Sequence, residues 1–299
     1  MLSHWLQLIR WPNLILVALA QVLFKYIFLP AFHIPSKLSD FDFAMLSVAI
    51  VFVTAAGNII NDIFDIKTDF INRRSRPLAY KKISVANAYV LYFTLNILAL
   101  FLVRNVAFRY QILDLIVVVF GTIILLYLYA KYLKNIPLLG NILVSALVSL
   151  SFLLVIYIEV FALSKQPVSD TIRFWVIGYA IFAFWSNLNR EWIKDITDIK
   201  GDYAQGISTL PVLMGKSRMN ILVFYSTFAM IIGMLAGVKI YMQPDLVFTL
   251  YLIFGILAPL GFIMFHLYKK ELKSDYKMLS HLYKLVMLAG VLSILFFKL

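Results

Sequence analysis

The sequence predicts an all-α integral membrane protein with nine transmembrane helices, and three observations predict it. Of 299 residues, 63% are hydrophobic and only 14% charged, with a mean hydropathy of +0.89; a water-soluble domain carries about a quarter charged residues. The apolar residues gather into stretches of bilayer-spanning length, since about 17 to 25 residues of helix cross the hydrocarbon core. The lysines and arginines fall unevenly on alternate connections, as they do in multi-pass proteins.

The first stretch, 14–32, has the position of a secretion signal, but no small-residue cleavage site follows and its length suits a retained span. Spans at 43–60 and 86–103 flank a polar connection containing Asn72 and Pro77, and spans at 111–130 and 138–160 flank a short one ending in Pro137. The stretches 174–188, 219–238, 246–266 and 282–297 complete the set. The sixth and ninth are short, which suits less tilt or a partly re-entrant path. No long polar linker interrupts the series, so residues 1–299 read as a single polytopic domain.

With the N-terminus inside, 19 of the 27 Lys and Arg fall on the cytoplasmic side: Arg10, the cations of 61–84, Lys131, Lys134, those of 189–218, and Lys269, Lys270, Lys273, Lys277 and Lys284. The positive-inside rule then places the N-terminus in the cytoplasm and the C-terminus outside, in the cell's plasma membrane. The net charge of +12 is therefore a topological signature rather than a sign of nucleic-acid binding. Cysteine is absent, which excludes disulfides, thiolate metal sites and cysteine nucleophiles. The four histidines show no metal-ligand spacing, and nothing in the sequence calls for an obligate protein partner.

The most informative feature is an acidic run that occurs twice. Asp62, Asp65 and Asp69 recur 133 residues later, at the same spacing, as Asp195, Asp198 and Asp202, using six of only 15 acidic residues. Steps of three and four place each triplet on one face of a helix. The first copy follows the second span and the second copy follows the sixth, which suggests two four-helix halves with a ninth helix added. Parallel repeats of this kind put both copies on the same membrane side, at the cytoplasmic mouth of a central cavity. Proline and glycine, at Pro77 and at Gly201, Gly206 and Pro211, mark where each motif passes into a loop.

Like-charged carboxylates at this spacing repel and need a cation. Arg73, Arg74 and Arg76 follow the first triplet, and Arg190 and Lys194 precede the second. Carboxylates for metal beside guanidinium groups for anionic oxygens suit a metal-bound diphosphate, and Mg²⁺ is commonly completed by substrate phosphates. In a bilayer, the diphosphate with a hydrocarbon partner is a polyprenyl diphosphate. Ordinary solvated loops with paired surface charges are the alternative, and two matched copies on one membrane side weigh against it.

Two runs carry a resemblance. The first is Asn61-Asp62-x-x-Asp65-x-x-x-Asp69 with Asn72-Arg73-x-x-Arg76-Pro77-Leu78. The second is Arg190-Glu191-x-x-Lys194-Asp195-x-x-Asp198-x-x-Gly201-Asp202 with Gly206-x-x-Thr209-Leu210-Pro211. They resemble the two signatures of the UbiA superfamily of intramembrane prenyltransferases, and the likeness covers nearly the whole chain. It implies nine helices and transfer of a prenyl group from its diphosphate to a lipophilic acceptor. It implies Mg²⁺, as two ions, held by Asn61, Asp62, Asp65, Asp69, Asp198 and Asp202, with Asp195 assisting. It also implies diphosphate binding by Arg10 in Ile9-Arg10-Trp11-Pro12-Asn13, by Lys134 in Tyr129-x-x-x-Leu133-Lys134-x-x-Pro137, and by Arg73, Arg76, Arg190 and Lys194. The chain departs from the family's usual loop at Arg73-Arg74 and at Ala79-Tyr80-Lys81.

The second run looks most like the lipid-forming branch, which points to geranylgeranylglyceryl phosphate as acceptor. An aromatic acceptor of quinone synthesis, of hydroxybenzoate, dihydroxynaphthoate or homogentisate type, stays open. A divalent-cation transporter fits less well, because arginines among the carboxylates oppose a cation path. A CDP-alcohol phosphotransferase lacks its Asp-Gly-x-x-Ala-Arg run here.

Overall fold

The computed structural model describes residues 2–72, 76–163, 168–241, 245–269 and 273–297. The described residues form helices without strands. In chain order these are α1 (Leu2–Ile9), α2 (Trp11–Ala31), α3 (Asp40–Phe64), α4 (Ile66–Asn72), α5 (Val85–Tyr110) and α6 (Asp114–Lys131). There follow α7 (Leu139–Ala162), α8 (Asp170–Ala204), α9 (Leu210–Met214), α10 (Lys216–Tyr241), α11 (Leu246–Lys269) and α12 (Lys273–Leu292). Among the described residues, eight helices are long and apolar enough to cross a membrane: α2, α3, α5, α6, α7, α10, α11 and the segment Asp275–Phe296.

The sixth expected span lies in α8, and the expectation that it is short is corrected. At 35 residues, α8 is about 50 Å long, so it exceeds a bilayer core of about 30 Å. It runs on through the whole second acidic motif. Gly201 is not a breaker there; the helix ends only at Gln205, before Gly206 with φ of 67°.

Local chemistry fixes how the helices pair. Ser39 caps α3 by accepting the Asp42 N–H at 3.1 Å, a cap that satisfies an otherwise unpaired donor. The Asp42 carboxylate accepts from Arg109 Nη1 at 2.7 Å and Tyr110 OH at 3.0 Å, pinning the end of α5 antiparallel to the start of α3. Buried Glu159 in α7 accepts from Ser36 Oγ at 2.8 Å and the Lys37 N–H at 2.5 Å, and lies 3.5 Å from Lys25 Nζ of α2. A buried carboxylate in a membrane segment needs such compensation.

Apolar packing forms several clusters. Leu46, Ala49 and Val53 of α3 meet Ala99, Val103 and Val106 of α5. Ile193 and Ile196 of α8 meet Val223 of α10, Leu260 and Ile263 of α11, and Tyr283 and Val286 of α12. The last helix is thus more than an addition to two halves, because it packs into this core and also contacts α2, closing the ring. Between α2, α3, α6, α7, α8 and α12 the ring leaves a cavity of about 170 Å³.

Candidate active site at the seam of two acidic helices

The first motif is not a continuous helical face. The chain turns at Asp65, with φ of −89° and ψ of 2°, so Asn61 and Asp62 end α3 while Asp69 sits on α4. The three carboxylates consequently divide between two sets of cations. Asp62 accepts from Arg10 Nη2 at 2.6 Å and from Arg76 Nη1 at 3.1 Å. Asp65 accepts from Asn61 Nδ2 at 2.8 Å and pairs with Lys134 Nζ. Asp69 lies 3.7 Å from Arg76 Nε. The expectation of one shared face therefore holds only for the second copy, where α8 carries Asp195, Asp198 and Asp202 unbroken.

Two close approaches position the basic and acidic groups. Arg10 links α1 to α2 at φ of 56° and ψ of 52°, a left-handed conformation that costs about 1–3 kcal/mol in a residue with a side chain. Its Nε is buried without a hydrogen-bond partner among the described residues. At the start of α7, a Cβ on Gly140 would stand 2.8 Å from Lys134 Cα. Glycine lets α7 press against the turn that carries Lys134.

The two motifs meet through Asn72. Its Nδ2 donates to the Asp198 carbonyl at 2.9 Å, and its Oδ1 accepts the Gly201 N–H at 3.0 Å. A Cβ on Gly201 would stand 2.1 Å from that Nδ2, so only glycine admits the asparagine. α4 is thereby fastened to α8, with carboxylates of both motifs around one small polar cavity. Its lining includes Asn61, Asp65, Asp69, Lys134, Asn141, Asp195, Asp198 and Asp202.

Below it lies the larger central cavity, whose wall is Leu16, Val17, Ile50, Val53, Leu126 and other apolar side chains, with Arg10, Arg190, Glu191, Lys194 and Lys284 at its head. The two cavities share Asn61, Tyr129, Glu191 and Lys194. Glu191 accepts from Arg190 Nη1 and Lys194 Nζ, each at 3.0 Å. Arg73 and Arg74 lie outside the described residues.

The donor set fits a hard divalent cation. Every carboxylate and amide donor around the polar cavity is an oxygen ligand of the kind Mg²⁺ takes. Burial and then the neighbouring Asp198 push the Asp202 carboxyl up to about 7. Burial also raises Asp195, against a hydrogen bond from Asn141 Nδ2 at 2.8 Å. Such crowding is what a bound cation relieves. No three carboxylates among the described residues converge into a ready cage. Asp62 stands apart from the polar cavity, its two oxygens held by arginines.

Sequence reasoning missed Glu191 as the group that holds Arg190 and Lys194, although it stood inside the motif. It missed Asn141, whose signal was a lone carboxamide opening an apolar helix. It read Lys284 as one topological cation among several, and no spacing pattern marked it otherwise.

Residues 14–292 match the UbiA prenyltransferase family. The chain belongs to that family. It is 31% identical over 295 residues to the digeranylgeranylglyceryl phosphate synthase of Methanococcoides burtonii, covering 98% of each chain. It is 33% identical over 244 residues to the synthase of that name from Thermococcus sibiricus, covering 80% of this chain and 78% of the relative. A solved structure described as giving insights into digeranylgeranylglyceryl phosphate synthase in membranes superposes with a TM-score of 0.62 at 25% identity, covering 98% of each chain. A UbiA homologue from Aeropyrum pernix K1, solved in its apo form, shares the fold with a TM-score of 0.67 at 16% identity over 94% of each chain.

Proposed function

We propose that this UbiA-family enzyme transfers a prenyl group, with Mg²⁺, from a polyprenyl diphosphate to geranylgeranylglyceryl phosphate. The observation that carries the reading is the joining of two cavities, one polar and walled by carboxylates from both motifs, the other lined mostly by apolar side chains. A diphosphate and its hydrocarbon chain require that pair of environments side by side. The acceptor assignment is supported by relatives named digeranylgeranylglyceryl phosphate synthase and by the Arg190-Glu191-x-x-Lys194-Asp195 form of the second motif.

What Mg²⁺ supplies when bound is neutralisation of the departing diphosphate; two ions held by Asp65 and Asp69 on one side and Asp198 and Asp202 on the other suit the geometry. Asp62 orients Arg10 and Arg76 so that their guanidinium groups meet diphosphate oxygens in forked pairs. Lys134, held by Asp65, adds a point charge at the same end. Leu16, Val17, Ile50, Val53 and Leu126 exclude water and hold the isoprenoid chain. Tyr129, the aromatic side chain that lines both cavities, favours cationic character at C1. An acceptor hydroxyl then attacks C1, the C1–oxygen bond breaks with its electron pair leaving on the diphosphate, and the hydroxyl proton passes to a carboxylate of the polar cavity.

In this reading α8 supplies the sixth of nine spans, the N-terminus and both motifs face the cytoplasm, and the enzyme sits in the plasma membrane. Purified protein incubated with Mg²⁺, labelled geranylgeranyl diphosphate and a panel of glyceryl-phosphate and aromatic acceptors, with products read by mass spectrometry, tests it. A prenylated glyceryl phosphate supports the assignment. Products from hydroxybenzoate or dihydroxynaphthoate alone move the chain to the aromatic branch.

A further inference from the structure

Among the described residues that line the head of the central cavity, the cations outnumber the carboxylates. Arg10 is compensated by Asp62, which also serves Arg76. Arg190 and Lys194 share the single carboxylate of Glu191. Lys284 of α12 lines the same cavity and makes no hydrogen bond or ion pair among the described residues. Among the described residues, the charged groups acting on it most strongly are the cations Arg190, Arg10 and Lys194, followed by Glu191.

An ammonium in such company, inside a membrane helix, is costly and is retained where something supplies the counter-charge. Lys284 stands roughly 16 Å along α12 from its first residue. With Met287 one turn on, it faces the internal cavity, while Tyr283 and Val286 pack into the core. A lysine that only marked topology would extend its ammonium outward to the interface.

We propose that Lys284, with Arg190, binds the phosphate monoester of the acceptor, so that the last helix sets the enzyme's preference for a phosphorylated acceptor. This rests on the prenyl-transfer reading above and adds a second anion subsite to it. The diphosphate end has its own cations, Arg10, Arg76 and Lys134, each held by a first-motif carboxylate. Lys284 and Arg190, like Arg10, line the central cavity and not the acidic one, but Arg10 is paired with Asp62 whereas Lys284 pairs with no carboxylate among the described residues. Because the two cavities join at Asn61, Tyr129, Glu191 and Lys194, a phosphate at Lys284 lies beside the place where the donor's C1 is presented. A glycerol requires the two to be near neighbours, since its free hydroxyl sits within three carbons of its phosphate.

The test uses the full chain in lipid nanodiscs as wild type, Lys284→Met, Lys284→Gln and Lys284→Arg. KM is measured for geranylgeranyl diphosphate, for geranylgeranylglyceryl phosphate, and for the phosphate-free geranylgeranylglycerol. Loss of one charge-assisted phosphate contact raises KM for the phosphorylated acceptor by about tenfold to hundredfold in the Met and Gln variants. The donor KM stays within about twofold, the preference over the phosphate-free acceptor falls by the same factor, and Lys284→Arg retains most of it. An unchanged acceptor KM, or an equal rise in donor KM, overturns the inference while leaving prenyl transfer intact. Wild-type protein that prenylates aromatic acceptors and no glyceryl phosphate overturns the acceptor assignment and this inference together.

Discussion

Gly201→Ala is a sharp probe of how the two motifs are held together. The new Cβ would stand 2.1 Å from Asn72 Nδ2 and 2.6 Å from its Cγ, so the asparagine must swing away. Two hydrogen bonds go with it, to the Asp198 carbonyl at 2.9 Å and from the Gly201 N–H at 3.0 Å. At about 0.5–1.5 kcal/mol each, their loss costs about 1–3 kcal/mol in the alignment of α4 with α8. Expressed in the transition state, that is roughly a fivefold to 150-fold fall in kcat/KM. Alanine regains about 1 kcal/mol of helix propensity over glycine, so thermal stability falls less than activity. Asn72→Ala removes the clash as well as the bonds. The double variant therefore performs like Asn72→Ala alone, within about 0.5 kcal/mol, the scatter of independent sites. Activity of single and double variants at saturating Mg²⁺ and donor decides it. Wild-type turnover in Gly201→Ala, or simple additivity in the pair, refutes the coupling.

Asp65→Asn and Asp198→Asn each abolish prenyl transfer while the protein elutes and melts as wild type; near-normal turnover at saturating Mg²⁺ removes the metal assignment. Arg10→Ala weakens binding of the prenyl diphosphate by about tenfold to hundredfold with little effect on the acceptor, measured by titrating each ligand separately, and the reverse pattern would move Arg10 to the acceptor side. With Asp202 raised to about 7, proton and cation compete for one carboxylate. One pH unit below that value the group is about nine-tenths protonated, so the Mg²⁺ concentration for half-maximal rate rises roughly tenfold between pH 8 and pH 6, and a flat profile contradicts the shift. A cysteine placed at exposed Gln205 reacts with a membrane-impermeant thiol reagent only from the cytoplasmic face; labelling from outside intact cells inverts the topology.

The helical membrane fold was legible because bilayer-spanning runs are written in composition, residue by residue. The acidic residues were legible because a matched spacing of scarce charges is conspicuous. What the sequence concealed is where the chain bends and what touches across it. The break at Asp65 has no proline or glycine to announce it, so three carboxylates at regular spacing read as one face when Asp62 and Asp69 share Arg76 and Asp65 pairs with Lys134. Gly201 read as a breaker by residue type, whereas its lack of a Cβ serves a neighbour 129 residues away. Lys284 looked like one more topological cation because its significance is a three-dimensional deficit of counter-charge. Span six looked short because its apolar part stops where its charged, functional part begins, and both belong to α8.

The central claim is that the metal ions lie between the two motifs and carry the diphosphate there. Structure determination of the protein with Mn²⁺ and a non-reactive thiolodiphosphate analogue of the donor, using anomalous scattering to locate the metal, tests it most directly. The account predicts metal peaks about 2.0–2.3 Å from carboxylate oxygens drawn from both Asp65 or Asp69 and Asp198 or Asp202, with the hydrocarbon chain running past Leu16 and Val53. Metal bound by one motif alone, or a diphosphate seated away from both, would contradict it.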